Sequence, residues 1–578
     1  MAGLLTVHLA WAAERSATGT PLSSWVPDQA ALCLEIYQPG PLLEPLLTPA
    51  FANRLASVPA YERQRDSKQM QDLVGLTRLI ETTAQTNWQS ALRALSQEGA
   101  VFALGAGNRS MLVIGGADPG LLEKLHGFAR QLAGSEADKQ GQGDRVRSTE
   151  YAGVTGWTFN GKEAHALVGP RLVVASDAEV LRRALDLRSS GAGSLADRAA
   201  YKGAREAVGK DAVAMVFMDL EQLRMAPGFL NSLDEKNQNP LAALLLAGIT
   251  GPLRSAPWLA LGVYVEGGAL SIRSFIGGDS GAETAAAYAR APIGTNGLEP
   301  NLLVPRQIAA LSLYRDLAGF YGAKDTLFPQ RTSGLIFFEN MMGIFFTGKN
   351  LTDEVLAQTT PRVRLVVARQ EYDPAIGNPE PQLPAFAVVF ELRKPQDFGE
   401  VVEEAWQKAL GLINFTRGQK ALPGLILDRT NHHGAPVTVA RFSAKDAPDR
   451  KHLDMRFNFR PSLALVQGHA ILSSTDQLAY DIADALGQKP AIEPGVPASG
   501  GSHSQLRLGG RELETVLKAN RTALVQGKML EEGKTQAEAE IAIDTLCAFV
   551  GWFDGASLQL GQGPHHETAE LRFTFSKP

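Results

Sequence analysis

The chain repeats one sequence pattern over roughly half its length, and this long repeat limits the fold more than any other feature. Val26-Pro27 near the start is matched by Val304-Pro305. The strongest match aligns the largely apolar run from Ala166 to Ser176 with the run from Ala464 to Ser474. Both runs are typical of two short strands joined by a turn. The sequence therefore predicts one structural unit written twice.

A helix follows this pair of strands in both halves and begins at a polar capping residue. Its apolar positions recur at i, i+1, i+4 and i+5, which places them on one face of the helix. These positions are Val180, Leu181, Ala184 and Leu185 in the first half, and Leu478, Ala479, Ile482 and Ala483 in the second. The shared spacing predicts the same helix in each half.

Hairpins and segregated helices dominate the pattern of each half, which favours an α+β fold over a parallel βαβ array. We predict two tandem pseudo-symmetric repeats, each a mostly antiparallel sheet with helices packed on it. The predicted boundaries are a signal peptide and leader at 1–25, a first α+β repeat at 26–276, a linker at 277–303 and a second α+β repeat at 304–578.

The first residues have features of an export signal. The stretch from Leu4 to Ala13 is almost wholly apolar, and Ala10-Trp11-Ala12 has the small-x-small pattern that a signal peptidase accepts. No Lys or Arg precedes Arg15, so the basic segment of a signal peptide is missing. We expect export to the periplasm or cell envelope. No later apolar stretch reaches the roughly 18 residues that span a bilayer, so we expect no transmembrane segment in the mature chain.

Composition argues against several classes of function. The 56 Lys and Arg residues and the 61 Asp and Glu residues give a net charge of −5, which is unlike most nucleic-acid-binding domains. The two cysteines, Cys33 and Cys547, cannot form a disulfide framework, a four-cysteine zinc site or a cysteine-ligated iron–sulfur cluster. We expect both to be buried fillers rather than nucleophiles.

Three segments of the first half follow one another in an order that resembles a known family. They are the strand-turn-strand-helix pattern from Leu167 to Leu185, the helix-leading Ser194 to Asp197, and the segment from Asp211 to Leu223. This order is similar to that of an uncharacterised family of exported bacterial proteins, domain of unknown function 3352. The resemblance implies export and a duplicated α+β fold, and it implies no active-site residue. The second half departs from it, because Ser502 to Leu517 is polar and broken by glycine where Val213 to Met218 is apolar.

Two adjacent histidine pairs, His432-His433 and His565-His566, lie in predicted hairpin turns of the second half. With Glu567 they offer ligands for zinc, copper or nickel, provided that the two turns share one end of the sheet. Two facts argue against a metal site. Neighbouring residues on a strand point to opposite faces, and histidine favours turns because it tolerates positive φ. The sequence assigns no catalytic residue, no cofactor-binding residue and no metal ligand.

Other motifs have simpler structural explanations. Gly278-Asp279-Ser280-Gly281 is similar to the nucleophile segment of trypsin-like proteases, but Ser280 lies in the linker, and no third partner accompanies it and His165. The run from Gly105 to Asn108 lacks the helix N-terminus of a phosphate-binding loop. We interpret the following carboxylates as belonging to the starts of helices: Asp118, Asp177, Asp219 and Glu221.

One helical segment is unusually apolar. It contains Phe337-Phe338, Met341-Met342 and Ile344-Phe345-Phe346. Such a cluster is more often core than binding surface, and we expect it to be core. If it were half exposed, it would mark a groove for a lipid or a partner.

Neither half carries a motif of established chemistry. We therefore expect an exported non-enzymatic binding or structural protein, whose small-molecule, lipid or protein partner the sequence leaves open. There are two alternatives. One is a hydrolase or metalloenzyme that uses the hairpin turns of the second repeat, and the other is a carrier of lipid or another apolar ligand.

Overall fold

A computed structural model gives the fold of this chain. It describes residues 21–190, 193–225, 239–245, 255–278, 285–289, 291, 297–374, 376–443, 445, 453–488, 502–562 and 567–576. Most of the predicted signal peptide and much of the predicted linker lie outside these ranges. Contacts divide the chain into two compact units. The first is Met1–Phe51, Asp66–Ala226 and Pro257–Val265, and the second is Ala52–Arg65, Pro227–Ala256 and Glu266–Pro578.

Nine of the described strands lie in the first unit and pair with one another. They are β1 (Ala30–Ile36), β2 (Gly99–Gly105), β3 (Ser110–Gly115), β4 (Arg147–Tyr151), β5 (Val154–Thr158), β6 (Ala164–Val168), β7 (Arg171–Ala175), β8 (Ala214–Asp219) and β9 (Trp258–Glu266). Their spatial order is β4-β5-β6-β7-β3-β2-β1-β8-β9, and each neighbouring pair is antiparallel.

The second unit contains the remaining described strands. They are β10 (Ala269–Ile276), β11 (Gln307–Tyr314), β12 (Thr359–Ala368), β13 (Ala385–Leu392), β14 (Ile426–His432), β15 (Ala435–Arg441), β16 (Ser462–Val466), β17 (His469–Ser473), β18 (Ser502–Gly509), β19 (Phe553–Gln562) and β20 (Glu567–Phe575). Their order is β14-β15-β16-β17-β13-β12-β11-β18-β19-β20-β10, again with antiparallel neighbours.

The strand order of the first unit recurs in the second. In the spatial order of the strands, β11 takes the place that β1 has in the first unit, β12 takes the place of β2, and the correspondence continues to β19 and β9. A mixed α+β fold with antiparallel sheets is what the sequence predicts. The common origin of the two halves stays a prediction, as do the repeat boundaries at 276 and 304. The compact units divide the chain elsewhere, since β10 belongs to the second unit, where it pairs with β20.

The described α-helices, in chain order, are α1 (Pro39–Leu43), α2 (Pro49–Ala56), α3 (Pro59–Gln64), α4 (Lys68–Ala84), α5 (Trp88–Ser96), α6 (Pro119–Lys139), α7 (Ala178–Ser190), α8 (Ala199–Val208), α9 (Leu220–Arg224), α10 (Pro240–Leu245), α11 (Leu317–Gly322), α12 (Lys324–Leu327), α13 (Thr332–Phe345), α14 (Pro395–Gln419), α15 (Asp476–Gly487), α16 (Gly510–Ala519), α17 (Arg521–Glu532) and α18 (Gln536–Val550). None of these described helices is long and apolar enough to cross a bilayer.

Helices α7 and α15 show why the predicted spacing succeeds. Each begins at a side chain that accepts a backbone N–H bond. Asp177 accepts from Val180 at 3.0 Å, and Thr475 accepts from Leu478 at 3.3 Å. All eight predicted apolar positions are buried. In the second unit these side chains close a core against strands β12, β13, β16 and β17, where Ile471 is fully buried. The same local pattern therefore buries the same helix face in each unit.

Candidate functional site

Helix α13 is mostly apolar, and its large apolar side chains lie on two different sides of the helix. Leu335 packs against a cluster that includes Phe320 and Phe328, and Met342 and Phe346 pack against the cluster around Leu392 and Phe398. The spacing 335, 342 and 346 follows one side of a helix with 3.6 residues per turn. This inner side attaches α13 to the second unit.

A second apolar stripe lies on the outer side of α13. Phe337, Met341 and Ile344 are spaced four and three residues apart, and the stripe starts two residues after Leu335, about 200° around the axis. Phe337 is 72% exposed and Ile344 is 69% exposed. No residue of this helix is buried. The expectation that the cluster is core is therefore wrong for this outer stripe, because the helix packs on its unit through the side that carries Leu335 and Met342.

Charge is sparse along this surface. Glu339 is the only charged residue within α13, and its carboxylate lies 3.8 Å from the Lys324 ammonium. Arg331 precedes the helix and Lys349 follows it. We call the exposed side chains of Ile336, Phe337, Phe338, Met341 and Ile344 the α13 apolar face.

Apolar exposure continues on other helices. Helix α14 packs against α13, and its exposed side chains include Leu412, Ile413 and Phe415. In the first unit, α4 lies in the connection from β1 to β2, as α13 lies in the connection from β11 to β12. The exposed apolar residues of α4 are Leu73, Val74, Leu76 and Leu79. The same connection therefore bears a helix with exposed apolar side chains in both units.

The first histidine pair lies in a two-residue turn between β14 and β15. His432 ends β14, and His433 and Gly434 follow with φ values of 50° and 90°. Positive φ at both central residues is the geometry of a type I′ turn. Because His433 leaves the extended conformation, the alternation of strand side chains ends at His432. The expectation that neighbouring strand residues point to opposite faces therefore does not apply to His432 and His433, and both rings can reach one site.

Both imidazoles approach Asp484 in the last turn of α15. The Nε2 atom of His432 lies 2.8 Å from the Asp484 Oδ1 atom, and that of His433 lies 3.9 Å from it. The His432 ring also stacks on Tyr480, one turn earlier on the same helix, with ring centroids 4.5 Å apart. One ligand atom from each of His432, His433 and Asp484 falls within 4.8 Å of the others.

A cavity of about 620 Å³ opens beside these three residues. It lies between the β14–β15 turn, the β16–β17 turn at Gln467, and the end of α15 at Gly487 and Gln488. It leaves space next to the ligand atoms for water or a small molecule. His565 and His566 lie outside the described residues, as does Ser280.

The first unit builds the equivalent turn with different residues. Tyr151 ends β4, and Ala152 and Gly153 follow with φ values of 49° and 73°. The Tyr151 hydroxyl donates to Asp186 on α7 at 2.9 Å. Asp186 holds the place on α7 that Asp484 holds on α15. A tyrosine–aspartate hydrogen bond thus joins turn and helix where the second unit has two histidines and an aspartate.

The remaining candidates have structural roles. Cys33 and Cys547 are buried, and burial raises the pKa of both thiols, which disfavours the reactive thiolate. Asp118, Asp177 and Asp219 each accept a backbone N–H bond at the start of a helix, and Glu221 lies in the first turn of α9. The N–H of Val180 is the main cause of the lowered pKa of Asp177.

The Gly105 to Asn108 run joins the antiparallel strands β2 and β3, as expected. A cavity of about 440 Å³ adjoins it. The arginines that line this cavity are already engaged, since Arg109 and Arg183 both bond to Glu179 at 3.0 and 2.9 Å. This loop therefore offers no arginine free of a carboxylate for a phosphate.

The buried polar side chains of the described residues include two charged groups that the sequence does not single out. In the first unit, the Glu35 carboxylate accepts a bond from the Tyr201 hydroxyl and lies 3.7 Å from Arg205. In the second, the Arg315 guanidinium is almost fully buried and donates to backbone carbonyls and to Ser504. A charged residue inside an apolar strand, such as Glu35 in β1, is the one sequence signal that points to such a network.

Comparisons with known proteins add little. No family model matches the chain, and no curated protein matches it. Two crystal forms of the protein TP0453 are among the solved structures that it resembles weakly. Form I shares 11% identity over 46% of this chain and 82% of that one at a TM-score of 0.24. Form III shares 10% identity over 45% and 80% at a TM-score of 0.22.

Proposed function

We propose that this chain is a non-enzymatic binding protein of the cell envelope that attaches to lipid bilayer surfaces through the α13 apolar face. The observation that carries the proposal is the outward position of Phe337 and Ile344, which leaves two large apolar side chains mostly in water. Contiguous exposed apolar surface of this kind is typical of a membrane or partner contact. The proposal develops the apolar-ligand alternative that the sequence left open.

Length and charge favour a bilayer surface as the occupant. Helix α13 has 14 residues, which is too short to span a bilayer but fits a helix that lies in the interface. Arg331 and Lys349 flank it, and each basic residue near an anionic membrane contributes about 1 kcal/mol. A second copy of this chain is the competing occupant, and vesicle flotation distinguishes it from a bilayer surface.

Export and membership of the domain of unknown function 3352 family remain part of the proposal. Both are supported by the residues from Leu4 to Ala13 and by the pattern from Leu167 to Leu185. An envelope location would place the α13 apolar face within reach of a membrane.

Vesicle flotation tests the proposal. The full chain is mixed with phosphatidylcholine vesicles, with or without phosphatidylglycerol, and the protein that rises with the lipid is measured. We expect the wild-type chain to float, and to float better with the anionic lipid. Burial of a Phe or Ile side chain contributes roughly 1.5–3 kcal/mol, and 1.4 kcal/mol is a factor of ten. Phe337→Ser with Ile344→Ser should therefore lower partitioning at least tenfold.

Leu530→Ser is the matched control. Leu530 is 86% exposed on α17 of the same unit, so this change removes exposed apolar surface outside the α13 apolar face. It should leave flotation unchanged. Equal loss in both variants would contradict the proposal. A second result would also contradict it: the wild-type chain does not float but forms dimers, and the Phe337→Ser and Ile344→Ser changes abolish those dimers. The α13 apolar face would then join two copies of the chain.

A further inference from the structure

We propose that His432, His433 and Asp484 form a binding site for a divalent transition-metal ion of the zinc class. The site is separate from the α13 apolar face and does not depend on lipid binding. Two imidazole nitrogens and one carboxylate oxygen form a ligand set that suits zinc, cobalt and nickel rather than magnesium or calcium. Their ligand atoms already lie within 4.8 Å of one another.

The distances fit a tetrahedral ion after small movements. Ligands at about 2.0–2.2 Å from a tetrahedral zinc ion lie roughly 3.3–3.6 Å from each other. The two histidine-to-Asp484 distances, 2.8 and 3.9 Å, lie on either side of this range. A rotation of the exposed His433 ring would bring its nitrogen closer, and the stacking of His432 on Tyr480 holds the first ring in place. The adjoining cavity of about 620 Å³ has room for a water molecule as the fourth ligand.

The electrostatics of the site favour a cation. Asp484 lies in the last turn of α15, where the helix dipole already places negative charge. A carboxylate there is unfavourable unless a positive group compensates it. None of the described residues that line the cavity is a lysine or an arginine. A bound divalent ion would neutralise both the carboxylate and the helix end.

The first unit shows that the fold does not require the histidines. Tyr151 and Asp186 join the equivalent turn and helix with one hydrogen bond, and Ala152 occupies the place of His433. His433 is 78% exposed, and its nitrogen lies beyond hydrogen-bond distance from Asp484. Its ring meets the His432 ring edge to face, with centroids 4.4 Å apart, and metal ligation would give its nitrogen a partner as well.

The first unit also supplies the test variant. His432→Tyr with His433→Ala places the Tyr-Ala-Gly turn of the first unit in the second, so it should fold and keep a hydrogen bond to Asp484. The metal-free full chain is titrated with Zn²⁺ by calorimetry, and with Co²⁺ by visible absorption. We expect the wild-type chain to bind one equivalent at this site with cobalt bands of tetrahedral type. The double variant should lose that equivalent or bind it at least tenfold more weakly.

Two further variants complete the experiment. Asp484→Asn should also weaken binding at least tenfold. Asp428→Asn is the matched control and should leave metal binding unchanged. Asp428 lies on the same hairpin and is 41% exposed, against 44% for Asp484, but its carboxylate pairs with Arg441 at 2.7 Å. Three results would overturn the proposal: no binding by the wild-type chain, equal binding by wild type and double variant, or loss of the ion only on changing His565 and His566 to alanine.

Discussion

Tyr201 donates a hydrogen bond to the buried carboxylate of Glu35, 166 residues earlier in the chain. Arg205 lies 3.7 Å from the same carboxylate and stacks over Tyr37 at 4.0 Å from the ring centroid. The bond ties α8 to the interior strand β1, which pairs with β2 and β8. A charge inside the first unit is thus held in part by two side chains from a helix that follows six strands later.

Tyr201→Phe tests how much this bond stabilises the fold. Removing the hydroxyl leaves the buried carboxylate short of a donor, so the free energy of unfolding should fall by about 1.5–3 kcal/mol. Urea denaturation of the full chain measures the change. Tyr151→Phe is the matched control because its hydroxyl bonds to the exposed Asp186, and it should have little effect. Equal effects would mean that burial of Glu35 does not set the strength of the bond.

Acidification should weaken the first unit through two histidines. The rings of His126 and His165 lie 5.2 Å apart, near Arg130 and Glu163. Burial lowers the pKa of His126 to about 4 and lowers that of His165. Below pH 6.5 the unfolded chain binds protons that the folded chain excludes, so stability should fall between pH 6.5 and about pH 4.

Urea midpoints across this window measure the effect. Replacing both histidines with phenylalanine should flatten the pH dependence. An unchanged slope in the double variant would show that other groups cause the acid sensitivity.

Arg315 provides a third test, in the second unit. Its guanidinium donates to the carbonyls of Leu244 and Leu245, the last two described residues of α10, at 2.6 and 3.1 Å. Burial lowers the pKa of Arg315 to about 10. Arg315→Lys keeps a cation but loses the fork of donors. It should cost on the order of 2 kcal/mol, and amide hydrogen exchange should become faster in α10. Unchanged exchange there would contradict this role.

Local periodicity explains what could be predicted from the sequence. The apolar positions of α7 and α15 recur with helical spacing, so their buried face and the α+β class were within reach. The exposed face of helix α13 was not, since periodicity cannot distinguish core from surface when large apolar side chains lie on two sides of one helix. Only the packing of Leu335 and Met342 shows that Phe337 faces outward.

Long-range contacts explain what was missed at the candidate metal site. His432 and Asp484 are separated by 52 residues, and their meeting depends on how α15 packs beside the β14–β15 turn. The turn itself was predicted. In this turn, positive φ at His433 brings both rings to one carboxylate. Residue types alone do not specify that backbone geometry.

The most direct test of lipid attachment places a probe on the α13 apolar face. An environment-sensitive fluorophore is attached to the Ile344→Cys variant, in which the native Cys33 and Cys547 are buried and slow to react. Its emission should shift to the blue when vesicles are added, while the same probe on Leu530→Cys should not respond. A blue shift at both positions, or at neither, would contradict the account.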